Sequence, residues 1–167
     1  DVKPCLGCYA CWRKTPGKCV QQDDMAGILE RILNSDLVIW SSPLYCYGFP
    51  SNCKALFDRL LPLALPAQGV DERGRTVHPG RGEIHTRIML VSGGGFPDRA
   101  GNFDGMEFQF KRMFSDNCPI IFCAEAPLLS IEEARPLASR YLSCAKKAGE
   151  EYKAFGYISP ETQALLD

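Results

Sequence analysis

Four of the nine cysteines in this chain fall inside "PCLGCYACWRKTPGKC", residues 4–19, as Cys5, Cys8, Cys11 and Cys19. Two residues lie between the first and second, two between the second and third, and seven before the fourth. Thiolates are soft ligands that suit iron–sulfur clusters and zinc. The tight spacing of the first three is that of cysteines wrapping one face of an iron–sulfur cube. The wider gap before Cys19, with no proline after it, departs from that run. Structural zinc commonly uses two cysteine pairs with a longer stretch between them, a poorer match. From the residues alone a [4Fe–4S] cluster, zinc, and unmetallated thiols that pack or exchange electrons all remain open. Nine is an odd number, so complete disulfide pairing within one chain is impossible, and reduced thiols in a cytoplasmic setting are expected.

A second constellation lies where two apolar runs end. In "SSPLYCYGFPSNCKALFDRL" the turn Pro43, Leu44, Tyr45, Cys46, Tyr47, Gly48 sits between a strand-like run and a helix starting near Ser51. Such a turn offers an aromatic wall and backbone amides to a planar cofactor; a plain tight turn with tyrosines covering the core is the alternative. "SGGG", Ser92–Gly95, follows the next run, and its glycines would let the backbone approach a flat ligand. It matches neither GxGxxG nor a Walker motif. Two such loops at consecutive strand ends support each other.

Other chemistry-bearing residues give less. The two histidines, His78 and His85, flank a polar stretch and read as solvent-facing, so a histidine metal site or a Ser-His-Asp triad has little to build on. Cys46 reads as a small lining residue, a redox role being the alternative. Cys53, Cys118, Cys123 and Cys144 read as core. Lys54 and Asp58 are spaced for a helix-face pair, and Arg59 reads as a solvated charge, with reach to a cofactor or a neighbouring subunit as the alternative. No residue is assigned a proton-transfer role.

The elements that must position these groups follow from periodicity. "DDMAGILERILNS" carries a cap at Asp23 or Asp24 and Met25, Ile28, Leu29, Ile32 and Leu33 at helical spacing. "DLVIW", "RIMLV" and "PIIFC" are continuous apolar runs of strand length, expected to be buried on both faces as in a parallel sheet. Helices are expected from Ser51 to near Pro62, over 105–115, and from near Pro136 onward with Leu137, Tyr141, Ala145, Ala148 and Tyr152 turned inward. Residues 64–84 are polar, rich in Gly and Pro, and read as a long functional excursion. Strand and helix alternate three times, which predicts one α/β domain over 1–167, a doubly wound parallel sheet with helices on both faces.

Composition agrees with a globular protein: 46% hydrophobic and 23% charged, with a net charge of -1. That balance argues against nucleic acid as a partner, and no apolar run reaches membrane-span length.

The order "PCxGCxxCW…GxCVxxDDM…SDLVIWSSPLYxYGxPSxxKALFDRLLPL…VSGGG" resembles the NADPH-dependent FMN reductase branch of the flavodoxin-like superfamily, in particular the iron–sulfur flavoproteins and their cluster-less cousins. The resemblance is close over residues 2–63 and holds in outline over 87–125. It implies an isoalloxazine ring lined by Pro43, Leu44, Tyr45 and Cys46, with Gly48 turning the chain away and Ser92, Gly93, Gly94 and Gly95 near the ring's polar edge. It permits a [4Fe–4S] cluster on Cys5, Cys8, Cys11 and Cys19, and implies homodimers or homotetramers. That family opens with a strand and a Ser/Thr/Gly-rich loop that cradles the FMN phosphate, and neither occurs here. The expectation is that the first βα unit is missing from this chain and that these residues alone hold FMN poorly. The implied function is an FMN-dependent oxidoreductase, taking hydride from NADPH or NADH and passing electrons to a quinone, a disulfide, a small electrophile, a redox partner or the cluster. A non-catalytic flavodoxin-like binding or metal-sensing module is the alternative.

Overall fold

Gly, Pro and Ser stop the apolar runs, and between those stops the chain alternates helix and strand as its periodicity dictates. The computed structural model describes all 167 residues. In chain order the elements are α1 (Ala10–Arg13), α2 (Met25–Leu33), β1 (Leu37–Pro43), α3 (Ser51–Asp58), β2 (Gly69–Val70), β3 (Thr76–Val77), β4 (Arg87–Gly93), α4 (Asp104–Met113), β5 (Ile120–Cys123), α5 (Arg135–Phe155) and α6 (Pro160–Ala164). Short 3-10 turns lie at Leu61–Leu63 and Ala126–Ser130. The chain divides into two compact units: Asp1–Val38 with Ser51–Arg87, and Ile39–Pro50 with Ile88–Asp167.

The first unit holds the cysteine segment, α2, α3 and the hairpin. Asp23 supplies the cap expected before α2, its Oδ1 accepting the Met25 N–H at 3.2 Å. Met25 and Leu29 form the buried face of α2, while Leu33, its last residue, is 45% exposed. Cys53 and Phe57 are the buried face of α3. The polar stretch 64–84 contains structure that periodicity does not signal. β2 and β3 pair antiparallel, Gly69 opposite Val77 and Val70 opposite Thr76. The Asp71 carboxylate holds the turn between them, accepting from the backbone N–H groups of Arg73 and Arg75 and from Arg75 Nε at 2.7 Å.

The sheet runs in the order β1-β4-β5. β4 and β5 are parallel, with Leu90 opposite Ile120 and Gly93 opposite Cys123. Successive residues of a strand face opposite sides, and both sides are used in the second unit. Ile121 packs with Ala148 of α5 and Leu166, and Val91, Tyr141 and Ala145 join that cluster. Phe122 turns the other way, its ring 4.5 Å from that of Phe103 at the start of α4. Met106 and Phe110 of α4 are fully buried. This is the doubly wound arrangement expected.

Three expectations need correction. All four residues of β5 are buried, but β1 is not covered on both faces: Trp40 is buried while Ile39 is 52% exposed. β1 ends the sheet order, and the apolar cluster beneath α5 reaches Val91 and stops there. Leu137 is 56% exposed, because the inward face of α5 begins at Ala138 and continues through Tyr141, Ala145, Ala148 and Tyr152. α6 was not expected. Ser159 caps it, its Oγ accepting the Thr162 N–H, with Pro160 at the first helical position.

Candidate functional site

The cysteine segment is curled by left-handed backbone at Gly7 (φ 62°), between Cys5 and Cys8, and at Tyr9 (φ 53°), between Cys8 and Cys11. Cys11 is the thiol that feels the other three. Burial pushes the Cys11 thiol up, and the neighbouring Cys19, Cys5 and Cys8 sulfurs push it further. Cys11 is buried, Cys5 and Cys19 half-buried, Cys8 exposed, and all four are free. No three Cys, His, Asp or Glu side chains converge on one ion position. A single zinc needs that convergence, whereas a four-iron cube gives each thiolate its own iron and so suits sulfurs spread further apart. Four thiols are the right donor type for a soft metal site, but they are not gathered on a metal position in this structure.

Side chains from the rest of the first unit fix the segment. The Trp12 indole N–H donates to the carbonyls of Leu61 at 3.1 Å and Ala64 at 3.0 Å. Its ring lies 4.9 Å from that of His78 and 5.3 Å from that of Tyr9. His78 is exposed, as expected, with Nδ1 3.0 Å from the Leu65 carbonyl and 3.1 Å from the Ala67 carbonyl, so this nitrogen carries the proton. His85 is exposed as well. Arg13 Nη2 donates to the Cys8 carbonyl at 2.9 Å, and Gln21 Nε2 to the Pro4 carbonyl at 3.1 Å.

Arg59 departs most from expectation. Its side chain is 1% exposed and that of Asp23 2%. Nη1 donates to Asp23 Oδ2 at 2.7 Å and to the Lys3 carbonyl at 2.7 Å, and Nη2 to Asp23 Oδ1 at 2.9 Å. Asp23 Oδ2 also accepts the Lys3 N–H at 3.0 Å. The Arg59 hydrogen bonds hold the Asp23 carboxyl well below the usual carboxylate range, against the burial that would raise it. One fork thus fastens both ends of the cysteine segment, Lys3 before Cys5 and Asp23 after Cys19. No spacing rule within a single segment pairs residue 59 with residue 23, so the sequence carried no signal for it.

The strand-end loops lie in the second unit. Tyr45 and Gly48 exchange two backbone hydrogen bonds of 3.0 Å, and Cys46 (φ 49°) and Tyr47 (φ 63°) between them are both left-handed, a tight hairpin turn. The Leu44 N–H donates to the Gly93 carbonyl at 2.8 Å, which joins this loop to the Ser92–Gly95 loop. Tyr47 stacks on Phe96 across the pair, ring centroids 5.7 Å apart and planes 11° from parallel. The structure therefore brings the two loops together.

Their residues divide by role. Pro43, Tyr45 and Cys46 are exposed, Tyr45 at 61%. A side chain at Gly48 or at Gly95 would meet open space. Leu44 is buried, and a Cβ on Gly94 would stand 2.9 Å from the Phe103 side chain and 3.2 Å from that of Leu44. A Cβ on Gly93 would stand 2.6 Å from that of Ala126. Gly93 and Gly94 are thus required by packing, and Gly95 is the glycine of the loop that leaves a flat ligand room. Ser92 is 2% exposed, and its Oγ is buried with no hydrogen-bond partner. Exposed Tyr45 and the open space at Gly48 and Gly95 are of a kind to fit one edge and one face of a flavin ring. Cys53 and Cys123 are buried, as expected of core residues, whereas Cys118 and Cys144 are only half-buried. Burial pushes the Cys118 and Cys123 thiols up, away from the range of a reactive thiolate.

Residues 1–90, more than half of the chain, match the family described as NADPH-dependent FMN reductase. The chain is 36% identical over 80 residues to an iron-sulfur flavoprotein of Methanocaldococcus jannaschii, covering 48% of this chain and 40% of that protein. It is 41% identical over 59 residues to an iron-sulfur flavoprotein of Methanosarcina thermophila, covering 35% of this chain and 30% of the relative. The matched stretch is thus less than half of either relative. A Klebsiella pneumoniae structure assigned as a quinone reductase is 19% identical with a TM-score of 0.51, over 72% of this chain and 54% of that one, a likeness of fold alone. By the match over residues 1–90, which takes in all four clustered cysteines and the first strand-end loop, the chain belongs to the NADPH-dependent FMN reductase family.

Proposed function

We propose that this chain carries the ring-side loops and the cysteine site of an FMN-dependent NAD(P)H oxidoreductase with a [4Fe–4S] cluster. The paired loops carry the reading: Tyr45, Cys46 and the open backbone at Gly48 and Gly95 belong to one joined surface. Pro43, Tyr45 and Cys46 would hold the ring's face and Gly95 its edge, and buried Leu44, Gly93 and Gly94 would keep those two loops in register. Flavin, when bound, supplies the exchange between hydride and single-electron chemistry. Cys5, Cys8, Cys11 and Cys19 would ligate the cluster, and the names of the two archaeal relatives support that assignment. Trp12 and Arg59 would keep the ligand loop folded around it.

The test is NADPH and NADH oxidation by the flavin-loaded protein, expressed from its whole gene and purified without air, with a quinone or ferricyanide as acceptor. The expected result is turnover in the wild type and a weakened flavin affinity in Gly95→Val, whose side chain would fill the open space. Absence of turnover with either nucleotide and several acceptors would leave a flavodoxin-like binding module instead.

A further inference from the structure

Tyr47 and Phe96 stand outside the ring-side groups assigned above, yet their rings join the two loops, planes 11° from parallel and centroids 5.7 Å apart. Both backbones are pinned. Two hydrogen bonds between Tyr45 and Gly48 close the turn that carries Tyr47. A Cβ on Gly105 would stand 3.0 Å from the Tyr47 carbonyl, so the start of α4 packs against that turn. The Phe96 carbonyl accepts the Glu125 N–H at 3.0 Å, and the Gly94 carbonyl accepts the Ala126 N–H at 2.9 Å. Both rings nevertheless face solvent, Tyr47 being 58% and Phe96 41% exposed. Tyr47 also holds a φ of 63°, which a bulky residue adopts only at a cost. Two rings kept parallel at the surface, on strained but fixed backbone, make a flat face ready to take a further ring.

The loops also indicate what kind of ring. Neither "PLYCYGFP", residues 43–50, nor "SGGGFP", residues 92–97, contains a charged side chain. A charged acceptor finds no counter-ion within these loops, whereas an uncharged planar ring stacks on aromatic faces. An electron-poor ring gains most, because the faces of phenol and phenyl rings are negative. We propose that the Tyr47–Phe96 stack is the landing surface for the electron acceptor and selects an uncharged planar one, a quinone, over a compact or charged one. The inference rests on the oxidoreductase reading above. The stack binds and orients the acceptor and exchanges no electron or proton itself.

The test compares menadione, a neutral two-ring quinone, with ferricyanide, an anion without a ring, on flavin-loaded protein expressed from its whole gene. Tyr47→Asn removes the ring and suits a left-handed backbone. Phe96→Leu keeps apolar bulk without the flat face. Each should raise the ratio of the menadione KM to the ferricyanide KM by about threefold to tenfold, the worth of one aromatic pair. Tyr47→Phe keeps the ring and should keep the wild-type ratio. A second readout needs no turnover: in oxidised wild-type protein without nucleotide, menadione should shift the NMR ring signals of Tyr47 and Phe96. Unshifted ring signals, or an unchanged ratio in both ring-deleting variants, would overturn the inference while leaving the oxidoreductase reading intact. A rise in the NADPH KM in place of the menadione KM would give the stack to the donor and would also overturn it. Where a variant fails to fold, the wild-type ring signals decide. Wild-type protein that reduces no acceptor with either nucleotide would overturn the oxidoreductase reading instead, and the ring signals would still show whether the surface takes a quinone.

Discussion

Asp23 and Arg59 show how much burial changes the meaning of an ion pair. Lys54 and Asp58, 2.6 Å apart on α3, are 49% and 46% exposed, and such a pair is worth only about 0–1 kcal/mol. The Asp23–Arg59 fork is almost wholly buried, and removing one partner of such a pair leaves a desolvated charge, at a cost of about 3–5 kcal/mol. Arg59→Met should therefore lower the urea midpoint far more than Lys54→Ala. The sign with pH follows from the depressed Asp23 carboxyl. Its stabilisation is complete above the ordinary aspartate value, about 3.9, and is lost as pH falls below that toward the folded value. Acid titration of the wild type should show this loss, and Asp23→Asn should flatten it. The glycines of the Ser92–Gly95 loop divide in the same way. Gly93→Ala forces a Cβ to within 2.6 Å of Ala126 and should destabilise by about 1–3 kcal/mol, as overpacking does. Gly95→Ala meets open space and should leave the melting temperature unchanged. The discrimination is one of tertiary contact, so "SGGG" announces a tight approach without saying to what.

Elements were legible in the sequence where periodicity or a stop signal carried them. The three apolar runs became β1, β4 and β5, and the buried faces of α2, α3, α4 and α5 fall on the expected stripes, with Leu33, Met113 and Leu137 of those stripes exposed. What was hidden depended on partners elsewhere in the chain. Ile39 looks like core because its run is apolar, yet it lies exposed on the strand that ends the sheet. The hairpin of β2 and β3 has only two residues in each strand, too few to show alternation, and is held by the Asp71 carboxylate. α6 is five residues long, but its Ser-Pro opening was a usable signal. Its cap is reinforced from α5, since Glu151 accepts the Ser159 N–H at 2.9 Å and the Thr162 hydroxyl at 2.6 Å. Those bonds, that to Thr162 foremost, hold the Glu151 carboxyl below its ordinary value. Ser159→Ala should cost about 1 kcal/mol, as loss of an N-cap does, read as a lower melting temperature.

For the whole molecule, both candidate sites could be read as candidates from the sequence because each is a local cluster of residues: four cysteines within sixteen positions, and two turn motifs directly after strands. It could not show what holds them. Trp12, Arg59 and the Tyr47–Phe96 stack bring together residues far apart in the chain. The central claim is that one chain serves both flavin and a four-iron cluster. The direct measurement is the content of flavin, iron, zinc and acid-labile sulfide per chain in wild-type protein expressed from its whole gene and purified without air. The account predicts flavin together with about four iron and four sulfide per chain, with little zinc, as a cube on four thiolates requires. Flavin without iron or sulfide would contradict the cysteine assignment, and protein free of both flavin and iron would contradict the account as a whole.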